Sequence, residues 1–190
     1  CARAWDDDGS VTFSYTVTGG NRGYAGSATL DITPVNDAPT TGAVTLAPIV
    51  EDSGTRLITQ AELLANAADV DGPNLTAINL VISSGSGSLV DNGDGSWTYT
   101  PALNDDSAVN FSYSVTDGSL SVVGSAALDI TPVNDAPTTS VVTLSPIAED
   151  SGTRLITQAE LLANASDVDG PSLTATGLVI SSGAGSLMNN

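Results

Sequence analysis

The chain has 190 residues, with 22 Asp and Glu against four Arg, no Lys and no His, for a formal net charge of −18. Its length allows one or two domains with a real core. The missing His and Lys remove the usual general base, the usual zinc ligand, Schiff-base chemistry and a phosphate-loop lysine, and so acidic a chain repels nucleic acid and anionic membranes while attracting cations. Cys1 is the single cysteine and cannot close an internal disulfide, so a free or intermolecular thiol is expected. No signal peptide and no apolar run of spanning length is legible, so no membrane insertion is expected. Past the Phe13-Ser14-Tyr15 stretch, the prolines of Pro34-Val35-Asn36-Asp37-Ala38-Pro39 end a strand-like run and stiffen the connection to the next segment.

Alternating or β-branched runs then predict strands over 43–50, 75–84, 88–91, 96–100, 109–116 and 119–131. Thr59-Gln60-Ala61-Glu62 carries the spacing of a capping box and predicts one or two helical turns over the following leucines. Asp91-Asn92-Gly93-Asp94-Gly95 reads as a hairpin turn. About seven short strands in under a hundred residues make this an all-β protein of two packed antiparallel sheets. Trp97, Tyr99, Phe111 and Tyr113 alternate within strands and are expected in its core.

Self-similarity sets the organisation. Pro34-Val35-Asn36-Asp37-Ala38-Pro39-Thr40 returns as Pro132-Val133-Asn134-Asp135-Ala136-Pro137-Thr138, a shift of 98, and residues 33–92 match 131–190 at 49 of 60 positions. That period is domain-sized, so the chain is a tandem array. The expected division is 1–36 as the end of one repeat, 37–134 as a whole repeat and 135–190 as the start of a third. Two explanations stand for the part-repeats: a window from a longer array, or a head-to-tail polymer in which neighbouring copies complete one another.

The carboxylates gather at turns beside strand ends: Glu51-Asp52, Asp69-Val70-Asp71-Gly72, Asn104-Asp105-Asp106, Asp117-Gly118 and Asn134-Asp135. Calcium takes six to eight hard oxygens, which such turns supply. Asp and Asn also favour turns through local hydrogen bonds alone. A glycosidase pair of carboxylates would need aromatic sugar platforms, and the chain has two Trp and four Tyr, so no enzyme is expected. Arg56 and Arg154 are expected to pair with local carboxylates, and three glycosylation sequons at Asn74, Asn110 and Asn164 read as chance matches.

The order of these motifs resembles cadherin-like domains, in particular those of large repetitive bacterial surface adhesins with Val-Asn-Asp-Ala-Pro linkers. The matching residues are Glu51, then Ala68-Asp69-Val70-Asp71, then Leu103-Asn104-Asp105-Asp106, then Thr116-Asp117-Gly118, then Val133-Asn134-Asp135-Ala136-Pro137. Asn104 and Asp106 depart from the Asp and Glu of the family's third motif, and the linker offers fewer carboxylates than is common there. The resemblance implies calcium between successive repeats, held at one junction by Glu51, Asp106, Asn134, Asp135, Asp167 and Asp169. At the earlier junction it implies Asp8, Asn36, Asp37, Asp69, Asp71 and Asp117. The expected function is a calcium-stiffened structural extender or filament segment of an extracellular bacterial adhesin or surface fibre, supporting adhesion or biofilm cohesion. Its expected partners are neighbouring repeats and head-to-tail copies of itself, with no nucleic acid. The alternative is a module that binds a cell-surface carbohydrate or a homophilic protein partner.

Overall fold

The computed structural model describes residues 9–188, so Cys1 and Asp8 lie outside the described residues. The chain divides into two compact units, Cys1–Pro132 and Val133–Asn190. The first opens with an antiparallel hairpin of β1 (Val11–Gly19) and β2 (Arg22–Leu30), in register Val11↔Leu30. It continues through β3 (Thr40–Thr41), β4 (Val44–Thr45), β5 (Ile49–Val50), β6 (Arg56–Thr59), α1 (Gln60–Leu63) and β7 (Ala67–Ala68). The longer strands come next: β8 (Thr76–Ser84), β9 (Ser88–Asp91), β10 (Ser96–Thr100), β11 (Val109–Thr116), β12 (Ser121–Leu128) and the short β13 (Ile130–Thr131).

Seven of these strands form the two sheets of a sandwich, one ordered β6-β10-β9 and the other β4-β12-β11-β8. The two-residue ladders β3–β7 and β5–β13 add to them. Alternation explains why β11 is central: Val109, Phe111, Tyr113 and Val115 are buried while the residues between them are not. They pack with Ile58, Leu63, Leu80, Trp97, Tyr99 and Leu128 in one core. The Tyr99 and Phe111 rings meet edge to face with centroids 5.4 Å apart. Each buried tyrosine hydroxyl finds an acceptor, Tyr113 donating to the Leu63 carbonyl at 2.7 Å and Tyr99 to that of Ser86 at 2.6 Å. The Tyr113 ring lies on Gly124, where a Cβ would come within 2.6 Å of it.

The sequence expectations for β9, β10, β11, the aromatic core and the hairpin turn hold, with Gly93 and Gly95 at φ of +77° and +85°. Three details differ. The run 43–50 is two short strands, because Pro48 has no N–H to continue a ladder. The run 119–131 starts at Ser121 and breaks at Asp129. Arg56–Thr59, outside every run expected as a strand, is a strand paired with β10.

α1 is one turn long. The Thr59 hydroxyl accepts from the Glu62 N–H, and the Glu62 carboxylate accepts from the Thr59 N–H at 2.9 Å. Arg56 pairs with Glu62 at 2.5 Å, as expected, and Arg154 with Glu160 at 2.6 Å. Gln60 clamps both backbone groups of Ala77 at 2.6 and 2.7 Å, tying the turn to β8.

The second unit repeats this local chemistry in β14 (Thr138–Thr139), α2 (Gln158–Leu161) and β15 (Ala165–Ser166). The capping box, the Gln158–Ala175 clamp and the Asn164 bond to the Val141 carbonyl all return. None of its described residues is buried.

The core and the cap each give a measurable outcome. Phe111→Ala is expected to cost about 3–5 kcal/mol in denaturant unfolding of the full chain. Burial works to raise the Glu62 pKa, but its bonds to Arg56 and Thr59 outweigh this and hold the carboxyl below its usual value. Glu62 therefore adds stability at neutral pH, which is lost as the pH falls from the ordinary Glu value through the depressed one. Glu62→Gln is expected to lower stability at pH 7 and to converge with the parent once the pH falls below the depressed value, read by thermal melts across the acid range.

Candidate metal centre

The sandwich sorts its turn carboxylates to two ends. Thr116 of β11 pairs with Thr76 of β8, which puts Asp117 beside the turn carrying Asp69 and Asp71. The ladder Thr40↔Ala68 brings Asn36 and Asp37 to that same end. At the opposite end, Ile49↔Ile130 pairing places Glu51. The loop of Asp106 reaches it through the Asn104 N–H, which donates to Asp52 at 3.2 Å. An eight-residue strand such as β11 separates the ends by about 26 Å.

At the first end the hydrogen bonds form a chain. The Asp37 N–H donates to Asp71 Oδ2 at 2.6 Å, and the Asp71 N–H donates to Asp69 Oδ1 at 2.8 Å. Asp69 Oδ2 is left buried with no hydrogen-bond partner. Asp117 Oδ1 accepts from the Ser119 and Leu120 N–H groups at 2.6 and 2.7 Å, and its Oδ2 accepts from Asn36 Nδ2 at 2.7 Å. The Asn36 amide, with those two N–H groups, holds the Asp117 carboxyl below the ordinary Asp value. Asn36 acts here as a donor to Asp117, and it also donates to the Asp37 carbonyl at 3.1 Å.

The second unit reproduces the pattern. The Asp135 N–H donates to Asp169 Oδ2 at 2.6 Å, the Asp169 N–H to Asp167 Oδ1 at 2.9 Å, and Asn134 Nδ2 to the Asp135 carbonyl at 3.0 Å. Here the buried, unpartnered oxygen is Asp135 Oδ2. Glu51 is 5% exposed, the one buried charged side chain among the described residues, and its N–H donates to the Thr131 carbonyl at 3.0 Å. Asp106 is exposed.

Among the described residues, no three carboxylates converge closely enough to form a ready-made ligand set. The donors still suit a hard cation. They are oxygens, and a desolvated carboxylate oxygen without a partner is costly unless something positive meets it. Two residues outside the expected set share this chemistry. Asp52 accepts from Asn104, and bonds from the Ser107 hydroxyl and N–H hold the Asp105 carboxyl low. Both belong to the turn carboxylates singled out in the sequence, and the resemblance alone left them out of the ligand set.

An all-β chain of sandwich repeats with carboxylates collected at the sandwich ends is thus defined by fold and site. The chain belongs to the cadherin-like domain family, whose model matches residues 35–131 and again 133–190. No curated protein matches it. Among solved structures, it is similar to an endo-fucoidan hydrolase of glycoside hydrolase family 107, at 18% identity over 73% of this chain and 22% of that one, TM-score 0.36. It is also similar to the extracellular cadherin domains 1–4 of protocadherin gamma B7, at 16% identity over 70% and 35% of the two chains, TM-score 0.33. A chimeric titin Z1Z2 matches at 13% identity over 64% and 62%, TM-score 0.26. The chain spans about a fifth of the hydrolase, and likenesses this distant say nothing of activity. No helix among the described residues is long and apolar enough to cross a membrane.

The Asn36–Asp117 contact gives a direct check. Asn36→Ala is expected to move the Asp117 pKa back up toward the ordinary value, read as a later carboxyl-carbon midpoint in an NMR pH titration. An unchanged midpoint would show that the backbone bonds alone hold it.

Proposed function

We propose that the chain is a structural extender of an extracellular bacterial adhesin or surface fibre, stiffened by calcium at the junctions between its repeats. The repeats in this reading are 37–134 as a whole, flanked by the parts 1–36 and 135–190. The observation that supports it most is the pair of buried, unpartnered carboxylate oxygens, Asp69 Oδ2 and Asp135 Oδ2, in the repeated turn and linker motifs. The proposed ligands in the first unit are Asp69, Asp71, Asp117, Asp37 and Asn36, and in the second Asp135, Asp167, Asp169 and Asn134. Asp8, Glu51 and Asp106 join them on the strength of the family resemblance.

Calcium, when bound, supplies positive charge and shared coordination. The chain's own residues do the rest. The Asp37 and Asp71 N–H groups orient the carboxylates of Asp71 and Asp69, leaving Asp69 Oδ2 open for a ligand role. The Asn36–Asp117 bond holds the linker against the end of β11. With no metal, clustered carboxylates repel one another across a Pro-bounded linker. Because no three carboxylates converge among the described residues, they must move together to coordinate, which favours the weak affinities of extracellular modules, roughly 10⁻⁴ to 10⁻³ M. Near-identical tandem copies suit reach and stiffness better than a distinct receptor tip.

Calcium at ten times its dissociation constant is expected to stabilise each occupied site by about 1.4 kcal/mol. That should raise the melting temperature by several degrees and lengthen the particle in X-ray scattering, with both changes reversed by chelator. Asp69→Asn with Asp71→Asn is expected to abolish the response of the first unit. Identical melts and identical dimensions with and without calcium would overturn the reading.

A further inference from the structure

Asn92 is the one asparagine of the chain that a glycine follows. It stands in the turn between β9 and β10, where Gly93 takes a left-handed φ of +77°. A Cβ on Gly93 would meet nothing within 4 Å, and both residues are exposed, so water reaches the Asn92 amide freely.

Hydrogen bonds address each polar group of this dipeptide's junction. The Gly93 N–H donates to Asp91 Oδ1 at 2.8 Å. The Thr98 hydroxyl donates to Asn92 Oδ1 at 3.1 Å, and Asn92 Nδ2 donates to the Ser96 hydroxyl at 2.9 Å. The Ser96 hydroxyl is itself turned toward Asp94 Oδ1, to which it donates at 2.6 Å. Strand pairing supplies these partners: Trp97↔Asp91 and Thr98↔Val90 bring β10 alongside, and the Asn92 N–H donates to the Ser96 carbonyl at 3.0 Å. The Gly93 nitrogen is the atom that can close a succinimide ring on the Asn92 side-chain carbon. A carboxylate therefore stands on the nucleophile's proton, and a hydroxyl stands on the oxygen that gains charge when the ring closes. A base and an oxyanion donor in those places are what an acyl transfer needs.

We propose that Asn92–Gly93 is a self-modification site, at which the folded turn converts the Asn92 amide to a carboxylate. The Gly93 nitrogen gives its proton to Asp91 and bonds to Asn92 Cγ, while the Thr98 hydroxyl holds the oxygen. The bond from Cγ to Nδ2 then breaks, and the nitrogen leaves with that proton as ammonia. Water opens the succinimide at either carbonyl, giving an aspartate at position 92 or an isoaspartate whose backbone runs through the side-chain carbon. The balance is water in and ammonia out, with nothing oxidised or reduced. Either product removes the Asn92 Nδ2 donor from Ser96 and sets a new charge beside Asp91 and Asp94. Because β9 is the edge of its sheet, the modified hairpin is held less firmly. None of these residues is a proposed calcium ligand, so the inference stands apart from that reading.

The test incubates the full 190-residue chain at neutral pH and follows its mass, which rises by about 1 Da when an amide becomes a carboxyl. Peptide mapping should place the gain at residue 92, with isoaspartate among the products. The gain is expected to be faster in the folded chain than in the same chain unfolded by guanidinium chloride, where Asp91 and Thr98 no longer hold their places. Asp91→Asn keeps the acceptor oxygen but cannot take the proton, and is expected to slow the folded chain about tenfold or more. Thr98→Val keeps the β-branched shape without the hydroxyl and should slow it too, with thermal melts confirming that each variant is folded during incubation. A folded chain that gains mass no faster than the unfolded one, which is the outcome if these bonds shield the amide, overturns the proposal. So does a gain located elsewhere, or Asp91→Asn and Thr98→Val reacting at the parent's rate.

Discussion

The packing of strand β11 between two sheets is the contact on which the remainder of the protein depends. Its inward face of Val109, Phe111, Tyr113 and Val115 fills the centre of the core. Its neighbours β8 and β12 take their register from it. Its Tyr113 hydroxyl reaches across to the Leu63 carbonyl, so the helical turn is fastened to the strand by a buried hydrogen bond as well as by apolar contact. Because the strand then runs straight into Asp117, the same packing that makes the core also positions a carboxylate at the end of the sandwich.

That arrangement explains how so acidic a chain folds. Carboxylates are absent from the inward positions of the long strands and collect where strands end, and there local N–H groups meet many of them. Asp69, Asp91, Asp94, Asp105 and Asp117 each accept from a backbone N–H two residues on. These bonds satisfy some oxygens but do not neutralise charge. Asp69 Oδ2 and Asp135 Oδ2 remain buried without a partner, and four arginines cannot balance 22 acids. Arg56 and Arg154 are in any case committed to Glu62 and Glu160. The unbalanced charge at the sandwich ends is the physical ground for a cation there.

Much of this was legible in the sequence, for identifiable reasons. Strands β9, β10 and β11 alternate over four to eight residues between Gly- and Asp-rich turns, the clearest pattern a strand can write. The capping box of Thr59 and Glu62 is local chemistry, and it recurs unchanged at Thr157 and Glu160, in a unit where no described residue is buried as a whole. Pairings made by two residues were not legible, since Thr40–Thr41 and Ala67–Ala68 have no period to detect. Nor was the strand at Arg56–Thr59, which offers only Leu57 and Ile58 before a helix signal takes over. Asn79, at φ +57°, and the irregular register between Ser112 and Ser114 are set by tertiary packing. The motif order grouped Asn36, Asp37, Asp69, Asp71 and Asp117 by resemblance. It did not carry the role of each atom, with Asn36 donating to Asp117 and one oxygen of the set, Asp69 Oδ2, left unpaired.

Calcium uptake by the full chain, measured by equilibrium dialysis for the parent and for Asp69→Asn, addresses the central claim most directly. The parent should take up calcium with a dissociation constant of roughly 10⁻⁴ to 10⁻³ M, and the substituted chain should bind measurably less. Uptake no greater than that of a scrambled chain of equal charge, or uptake indifferent to Asp69, would contradict the account.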